Sequence, residues 1–462
     1  MTRAPFPTVA ASSSERRNVE IEVERDITRI RALLIRRRGF EETELSPIMR
    51  EGIDRVFGVG CSAAEAVSQI LTDVRTKGDG ALRHYSLTFD GEAPERFEID
   101  RRDWDRSFDA LEPTLRDALA LAAEQIASFH RKQLRTSWFD YNEEGALGQI
   151  VRPLERVGIY TPSGTAIYPS SLLMTAIPAR VAGVSEIIVC APPGPDGCVS
   201  PLILAAAKVA EVDRLFQLGG AQAIAAMAYG TESVPRVDKI CGPGNIFVVL
   251  AKRQVYGVVA IDGLPGPTET FVIADDSADP VLVSADMLAQ AEHDPMASAI
   301  LVSTSERLLD EVPQHLNKQS ANLDRREIIR QSLATNGLIA LVDDIPTAME
   351  LANSYAPEHL CLLIREPWTA LQLVRHAGGV FLGEHSPEAL GDYTAGPSHV
   401  MPTGGTARFA SPIHIQDFTK VISVAAANER ALKRLGPATI SLAHAEGLTA
   451  HARAIELRLR GN

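Results

Sequence analysis

Short apolar runs alternate with longer segments in which apolar residues recur every three or four positions, the spacings of buried strands and packed helices. Val157-Gly158-Ile159-Tyr160 predicts a strand, closed by Thr161-Pro162-Ser163-Gly164, and Ser171–Ala182 a helix. Glu186–Cys190 predicts a second strand, closed by Ala191-Pro192-Pro193-Gly194-Pro195, and Leu202–Ala210 a helix. Leu215–Leu218 and Lys239–Cys241 read as strands, with helices at Ala221–Tyr229 and Phe247–Val255. Strand–turn–helix repetition of this kind implies a parallel sheet with helices on both faces. Such sheets bind ligands at the carboxyl ends of their strands. The turn residues there are Tyr160, Gly219-Gly220-Ala221-Gln222 and Gly242-Pro243-Gly244-Asn245. No G-x-G-x-x-G follows the first strand, so the standard dinucleotide fingerprint is absent.

The alternation resumes after Thr268 in a second sheet, with strands at Phe271–Ala274, Ser298–Ser303, Leu338–Val342 and Leu360–Leu363 and a helix at Thr347–Asn353. Before the first sheet, Val19–Arg38 predicts an amphipathic arm helix ending in the basic run Arg36-Arg37-Arg38. Ala63–Leu71 predicts a helix running toward the stop Gly78-Asp79-Gly80, and Leu111–Leu134 another. Ala389–Gly405, rich in Gly, Pro, Tyr and His, reads as a functional loop. Asp417–Ser423 is a candidate last strand, and Asn428–Arg460 is helical and amphipathic.

Apolar residues make up 45% of the 462, enough for several cores, and charged residues 23%. The 46 lysines and arginines against 59 acids, a balance of −13, argue against nucleic acid as the main partner. An anionic cofactor remains compatible, because helix N-termini bind anions through backbone amides. The five cysteines are odd in number and lack C-x-x-C spacing, which favours a reducing cytoplasm over a disulfide framework. No apolar run of about 18 residues predicts a membrane span. Met1–Asn18 lacks a continuous apolar core and reads as a tail rather than a secretory signal.

Polar chemistry gathers in the second half: Gln290 with His293; Glu358-His359; Glu388, Asp392, Tyr393 and His399; Glu446 with His451. If the first stretch is helical, Gln290 and His293 share a face and could hold zinc or manganese. An imidazole beside a carboxylate suits proton transfer and the activation of water. Each cluster alone is also what an ordinary solvated loop or helix face looks like.

From about Ile53 to Leu459 the chain resembles the histidinol dehydrogenase family. The resemblance is carried by VGIYTPSGTA, GGAQAIAAMAYGTESVPRVDKICGPGN, AKRQV, GPTET, LAQAEHD, APEHL, GDYTAGPSHVMPT and GLTAHARAIELR, in the family's order and spacing. It implies a zinc- and NAD-dependent four-electron oxidation of L-histidinol to L-histidine through the aldehyde, the last step of histidine biosynthesis. It implies one zinc per subunit held by Gln290, His293, Asp392 and His451, with the acid/base pair on Glu358 and His359. Thr268, Glu388, His399 and Glu446 fall on substrate-contact positions, with Gln290, His293, His359, Asp392 and His451 also facing the substrate. Tyr160, Gln222 and Asn245 fall on NAD positions.

The implied fold is α/β, with two incomplete Rossmann-like domains, an N-terminal arm (1–50) and a C-terminal helical tail (411–462). The first domain would comprise 51–156 plus 269–410 and carry the zinc and catalytic residues; the second, 157–268, the NAD side. The tail would be exchanged in a homodimer, so that Glu446 and His451 serve the neighbouring subunit. Thr268 departs from the family's frequent Ser, and Pro265-Gly266-Pro267 from its usual Ala-Gly-Pro. Relatives that oxidise other polar alcohols, such as sulfonated diols, provide the alternative reading.

Overall fold

A computed structural model describes residues 19–35, 45, 47–162 and 167–460. The N-terminal tail before residue 19, the basic run Arg36-Arg37-Arg38 and the end of the turn at Ser163-Gly164 lie outside the described residues.

The alternation from residue 156 builds an all-parallel five-stranded sheet. Its spatial order is Arg214–Gln217, Glu186–Ala191, Arg156–Tyr160, Lys239–Cys241, Ala260–Ile261. The first of these strands in sequence is central, and the winding reverses between it and Lys239–Cys241. That reversal opens a crevice at the carboxyl ends of the two strands. Its inner strands are almost wholly apolar because helices cover both faces; Val157, Ile159, Ile187, Val189 and Ile240 are buried.

A six-stranded parallel sheet repeats the plan, in the order Glu22–Glu24, Leu338–Leu341, Ser298–Ser303, Glu269–Ala274, His359–Leu363, Gly379–Leu382. The expected α/β class with two parallel sheets and a helical C-terminus is thus met.

Three features differ from the sequence expectation. Val19–Arg38 is not one helix: Glu22–Glu24 pairs with Leu338–Ala340 at the sheet edge, and a helix follows at Ile27–Ile35. Glu22-Val23-Glu24 has the charge alternation tolerated on an edge strand, and Asp26 starts the helix by accepting from the Thr28 amide at 2.7 Å. Second, the helices of residues 63–131, grouped above with the zinc half, pack on the other sheet. Ala63–Lys77 lies against Gly220–Tyr229 and Ile246–Val255, Arg101–Asp109 against Pro201–Val209, and Pro113–Arg131 against Pro169–Ala182. Their buried faces decide this, since Val67, Ile70 and Leu71 share a cluster with Tyr160 and Ile224, and Trp104 and Ile126 share one with Ile159 and Leu173. Third, Asn428–Arg460 is two helices, Glu429–Ala445 and Thr449–Leu459, broken at Gly447, where φ is +74°.

An antiparallel three-stranded sheet joins Thr419–Ala427, Gly145–Pro153 and Trp138–Asn142. Among the described residues no helix is long and apolar enough to cross a membrane.

The turn after Lys239–Cys241 depends on glycine. Gly242 has φ +107°, and a Cβ there would lie 2.1 Å from the Tyr160 carbonyl oxygen. Gly242→Ala should therefore cost about 2 kcal/mol or more, read as a lowered urea midpoint; an unchanged midpoint would show that the turn can relax.

Candidate active site

The polar half of the site begins where two neighbouring strands start. Thr270 of Glu269–Ala274 is in register with His359 of His359–Leu363. Thr268, Glu269 and Thr270 therefore stand beside Glu358 and His359 at the amino ends of the six-stranded sheet. Glu358 is buried and takes two donors on one oxygen: Thr268 Oγ1 at 2.5 Å and the Glu269 amide at 3.0 Å from Oε2. Burial raises its carboxyl well above the usual range against those two bonds, and the Glu269 and Asp392 carboxylates add to the rise.

His359 is buried with its Nδ1 3.2 Å from the Glu269 carbonyl oxygen. Nδ1–H donates there, which leaves a lone pair on Nε2. That Nε2 is buried without a hydrogen-bond partner and faces Asp392 Oδ1 at 3.9 Å. Burial pushes the imidazole down to about 4, with the His399 and His293 rings adding to the depression and Asp392 opposing it. At neutral pH His359 is a free base with an open acceptor.

Around it stand the other donors. Gln290, in the helix Pro280–Ala291, is fully buried. Its Oε1 lies 3.0 Å from Thr270 Oγ1, and its Nε2 has no partner. His293 follows that helix in a bend rather than within it, so the shared helical face expected from spacing does not form; Arg325 holds the bend by donating to the Glu292 and His293 carbonyls at 2.7 and 3.1 Å. Asp392 and Glu388 lie on a short helix, Glu388–Tyr393, which takes up the beginning of the stretch Ala389–Gly405 expected to be a loop. Glu388 is buried, bonded by Thr270, and raised well above the carboxylate range by burial. His399 donates Nδ1–H to the Asp392 carbonyl at 2.8 Å, and its Nε2 lies 3.0 Å from Ser171 Oγ. Ser171 belongs to Pro169–Ala182, on the five-stranded half, so this contact ties the two halves together.

On that half, the carboxyl-end turns carry the other candidates. The Tyr160 hydroxyl accepts from the Gly220 amide at 3.1 Å, and buried Gln222 sits in the first turn of the helix Gly220–Tyr229. Asn245 caps Ile246–Val255, its Oδ1 accepting from Phe247 and Val248 amides at 3.1 and 3.2 Å. The buried pair Lys252–Asp262 clamps the turn from both sides: Lys252 Nζ donates to the Gly242 carbonyl at 3.0 Å, and the Gly242 amide donates to Asp262 Oδ2 at 2.7 Å.

One chain thus gathers Thr268, Gln290, His293, Glu358, His359, Glu388, Asp392 and His399, but not Glu446 or His451. Those two are exposed, where the C-terminal helices pack on each other and on Thr419–Ala427. Among the described residues no group of three or more His, Cys, Asp or Glu is placed to hold a metal. Sequence reasoning missed Thr270, Ser171, Lys252 and Asp262. Lys252 alone gave a signal, as one of two cations that follow an apolar run of six residues in its helix.

The family model described as histidinol dehydrogenase matches residues 60–459. The chain belongs to the histidinol dehydrogenase family. It is 52% identical over 425 residues to the histidinol dehydrogenase of Deinococcus radiodurans, covering 92% of this chain and 97% of the relative. It is 53% identical over 394 residues to that of Thermus thermophilus, covering 85% and 94%. The crystal structure of histidinol dehydrogenase from Elizabethkingia anophelis superposes with a TM-score of 0.86 at 32% identity, over 95% of this chain and 98% of that one. This family of oxidoreductases has the same fold, and the cluster at the seam of the two sheets lies within the matched region.

The depressed His359 gives a pH prediction for the protein without ligands. Its folded value of about 4 lies below the unbound 6.5, so its contribution to stability is complete above pH 6.5 and is lost as pH falls toward 4. His359→Asn should lose less stability than wild type over that window; parallel melting-temperature curves would contradict a neutral, buried imidazole.

Proposed function

We propose that the chain is a zinc- and NAD-dependent histidinol dehydrogenase that oxidises L-histidinol to L-histidine through the aldehyde. The observation that carries this reading is His359: a buried, neutral imidazole whose unpartnered Nε2 faces Asp392 Oδ1 at 3.9 Å, beside the buried Glu358 carboxyl and within electrostatic reach of the His293 ring. Its Nε2 can take the proton of an alcohol while hydride leaves the carbon, and again when the hydrated aldehyde is oxidised. Glu358, held at one oxygen by Thr268 and the Glu269 amide, has the other for activating the water that hydrates the aldehyde.

Gln290, His293 and Asp392 are the donors this chain would offer a zinc ion, and the end of the Gln290 amide without a partner in the protein marks a position that its oxygen could occupy as a ligand. Bound zinc would hold and orient the imidazole and amine of histidinol, and bound NAD would accept the hydrides. Glu388 and His399 border the same space and suit the polar ends of such a substrate. On the other half, Tyr160, Gln222 and Asn245 surround two helix N-termini able to receive a dinucleotide's phosphates; Asn245 uses its oxygen as a cap, which leaves its amino group for the ligand.

The three chain donors fall short of a tetrahedral shell. We infer a homodimer in which Glu446 and His451 come from the partner subunit. Two things support it: the tail helices are largely exposed, and the three-stranded sheet beneath carries exposed apolar side chains on both faces, Phe139, Tyr141 and Ile422 on one, Trp138, Leu147 and Val421 on the other. The five cysteines are all free, which suits a cytoplasmic setting.

The test is NADH yield with L-histidinol. Two equivalents per substrate, abolished by chelation and restored by zinc, are expected. Turnover of a different polar alcohol, such as a sulfonated diol, with none of histidinol would replace the substrate, and full activity after complete metal removal would overturn the zinc role. His359→Asn should lower kcat by about 10²- to 10⁴-fold with little change in substrate binding; near-normal turnover would remove His359 as the base.

A further inference from the structure

Thr270 sits behind the donor set and touches two of its members. It is fully buried, with Oγ1 3.0 Å from Gln290 Oε1 and in short contact with Glu388 Oε2. A hydroxyl has one proton to give, so it serves only one of these two oxygens. The Glu388 carboxyl makes the shorter contact, and whenever it is ionised it is also the stronger acceptor and takes that proton. Gln290 Oε1 then rests against an oxygen with nothing to donate. At the other end of the same amide, Nε2 carries two protons and is buried with no acceptor.

Half a turn about the last side-chain bond of Gln290 removes the clash with Thr270 and leaves an oxygen, in place of a nitrogen, at the position without a partner in the protein, because the two ends of an amide have nearly the same shape. Nε2 then donates to Thr270 Oγ1, and Oε1 takes the place of the orphaned nitrogen. In the reverse arrangement, with Glu388 donating to Thr270 and Thr270 to Gln290, Nε2 stays buried without an acceptor.

We propose that Thr270 is a positioning residue. Through the chain Glu388–Thr270–Gln290 it locks the Gln290 amide with its oxygen turned away from the strand, the only end of that side chain that can ligate a cation. The inference rests on the reading of Gln290 as a metal ligand given above. It adds the device that selects which amide end is presented. Val at this position would keep the volume of Thr but lose both the proton for Glu388 and the lone pair for Nε2.

The test measures zinc affinity by chelator competition on the metal-stripped, full-length protein, with melting temperatures confirming the fold. Thr270→Val should weaken zinc binding by about 10- to 100-fold, the usual consequence of losing a partner that orients a ligand. Thr270→Ser, which keeps the hydroxyl, should restore most of the affinity. Should Thr270→Val fail to fold, Thr270→Ala removes the same hydroxyl without added bulk. Gln290→Ala separates the two levels of the argument. If it weakens zinc while Thr270→Val does not, or if Thr270→Ser is as weak as Thr270→Val, the positioning role is overturned and the ligand assignment stands. If Gln290→Ala leaves zinc affinity unchanged, the ligand assignment fails and the proposal falls with it.

Discussion

The register between two parallel strands is the constraint on which the site depends. Pairing Thr270 with His359 brings three residues of one chain segment and two of another, some 90 positions away, into one row, buried except for the half-buried Thr268. A one-residue slip would send Glu358 and His359 to the opposite faces of the sheet. The register is held from below by apolar side chains, since Phe271, Val272, Leu360 and Cys361 are all buried. A buried carboxylate and a buried imidazole are costly, and at this row their partners are mostly backbone: the Glu269 amide for Glu358 and the Glu269 carbonyl for His359. The groups left unsatisfied, His359 Nε2 and Gln290 Nε2, are those on which the chemical reading depends.

The two sheets have the same winding but offer opposite ends. The five-stranded sheet contributes the turns after its strands, where the winding reverses and glycines admit close approach. The six-stranded sheet contributes the residues before its strands. The carboxyl-end rule therefore locates the Tyr160, Gln222 and Asn245 turns but not the acid/base row. Ser171 meeting His399 and Thr403 Oγ1 accepting from the Gly266 amide at 2.6 Å fasten the halves at two places, while Lys239 pairing with Asp417 ties the segment before Thr419–Ala427 to the five-stranded half.

Most strands and helices of the two sheets were legible because burial on both faces writes continuous apolar runs, and the helix spacing between them is distinct. Where one side faces solvent, that signal fades. Trp138–Asn142 and Gly145–Pro153 have no wholly buried face, and neither was legible as a strand. Glu22–Glu24 was lost in the charge alternation of the arm. The polar clusters were visible as clusters, yet residue type and spacing carry no distance between segments, so convergence came from the resemblance rather than from the pattern. Thr270 was invisible for a related reason: a threonine at the start of an apolar strand looks like a strand former, and its role exists only through Gln290 and Glu388.

The tail poses the sharper physical question. Glu429–Ala445 buries only Ala431, Gly436 and Ala443, and Thr449–Leu459 only Ala452. Helices that bury so little apolar surface gain little from tertiary packing, which is what sustains most helices of this length. Leu435, Leu442 and Leu457 are exposed on them, and the adjoining sheet exposes aromatic and branched residues on both faces. Surface of this kind is stable when covered, and in the homodimer proposed above the occupant would be a second copy, whose tail would also bring the Glu446 and His451 that the cluster lacks. Folding of the tail and completion of the donor set would then be one event, and metal affinity would depend on protein concentration wherever the dimer comes apart.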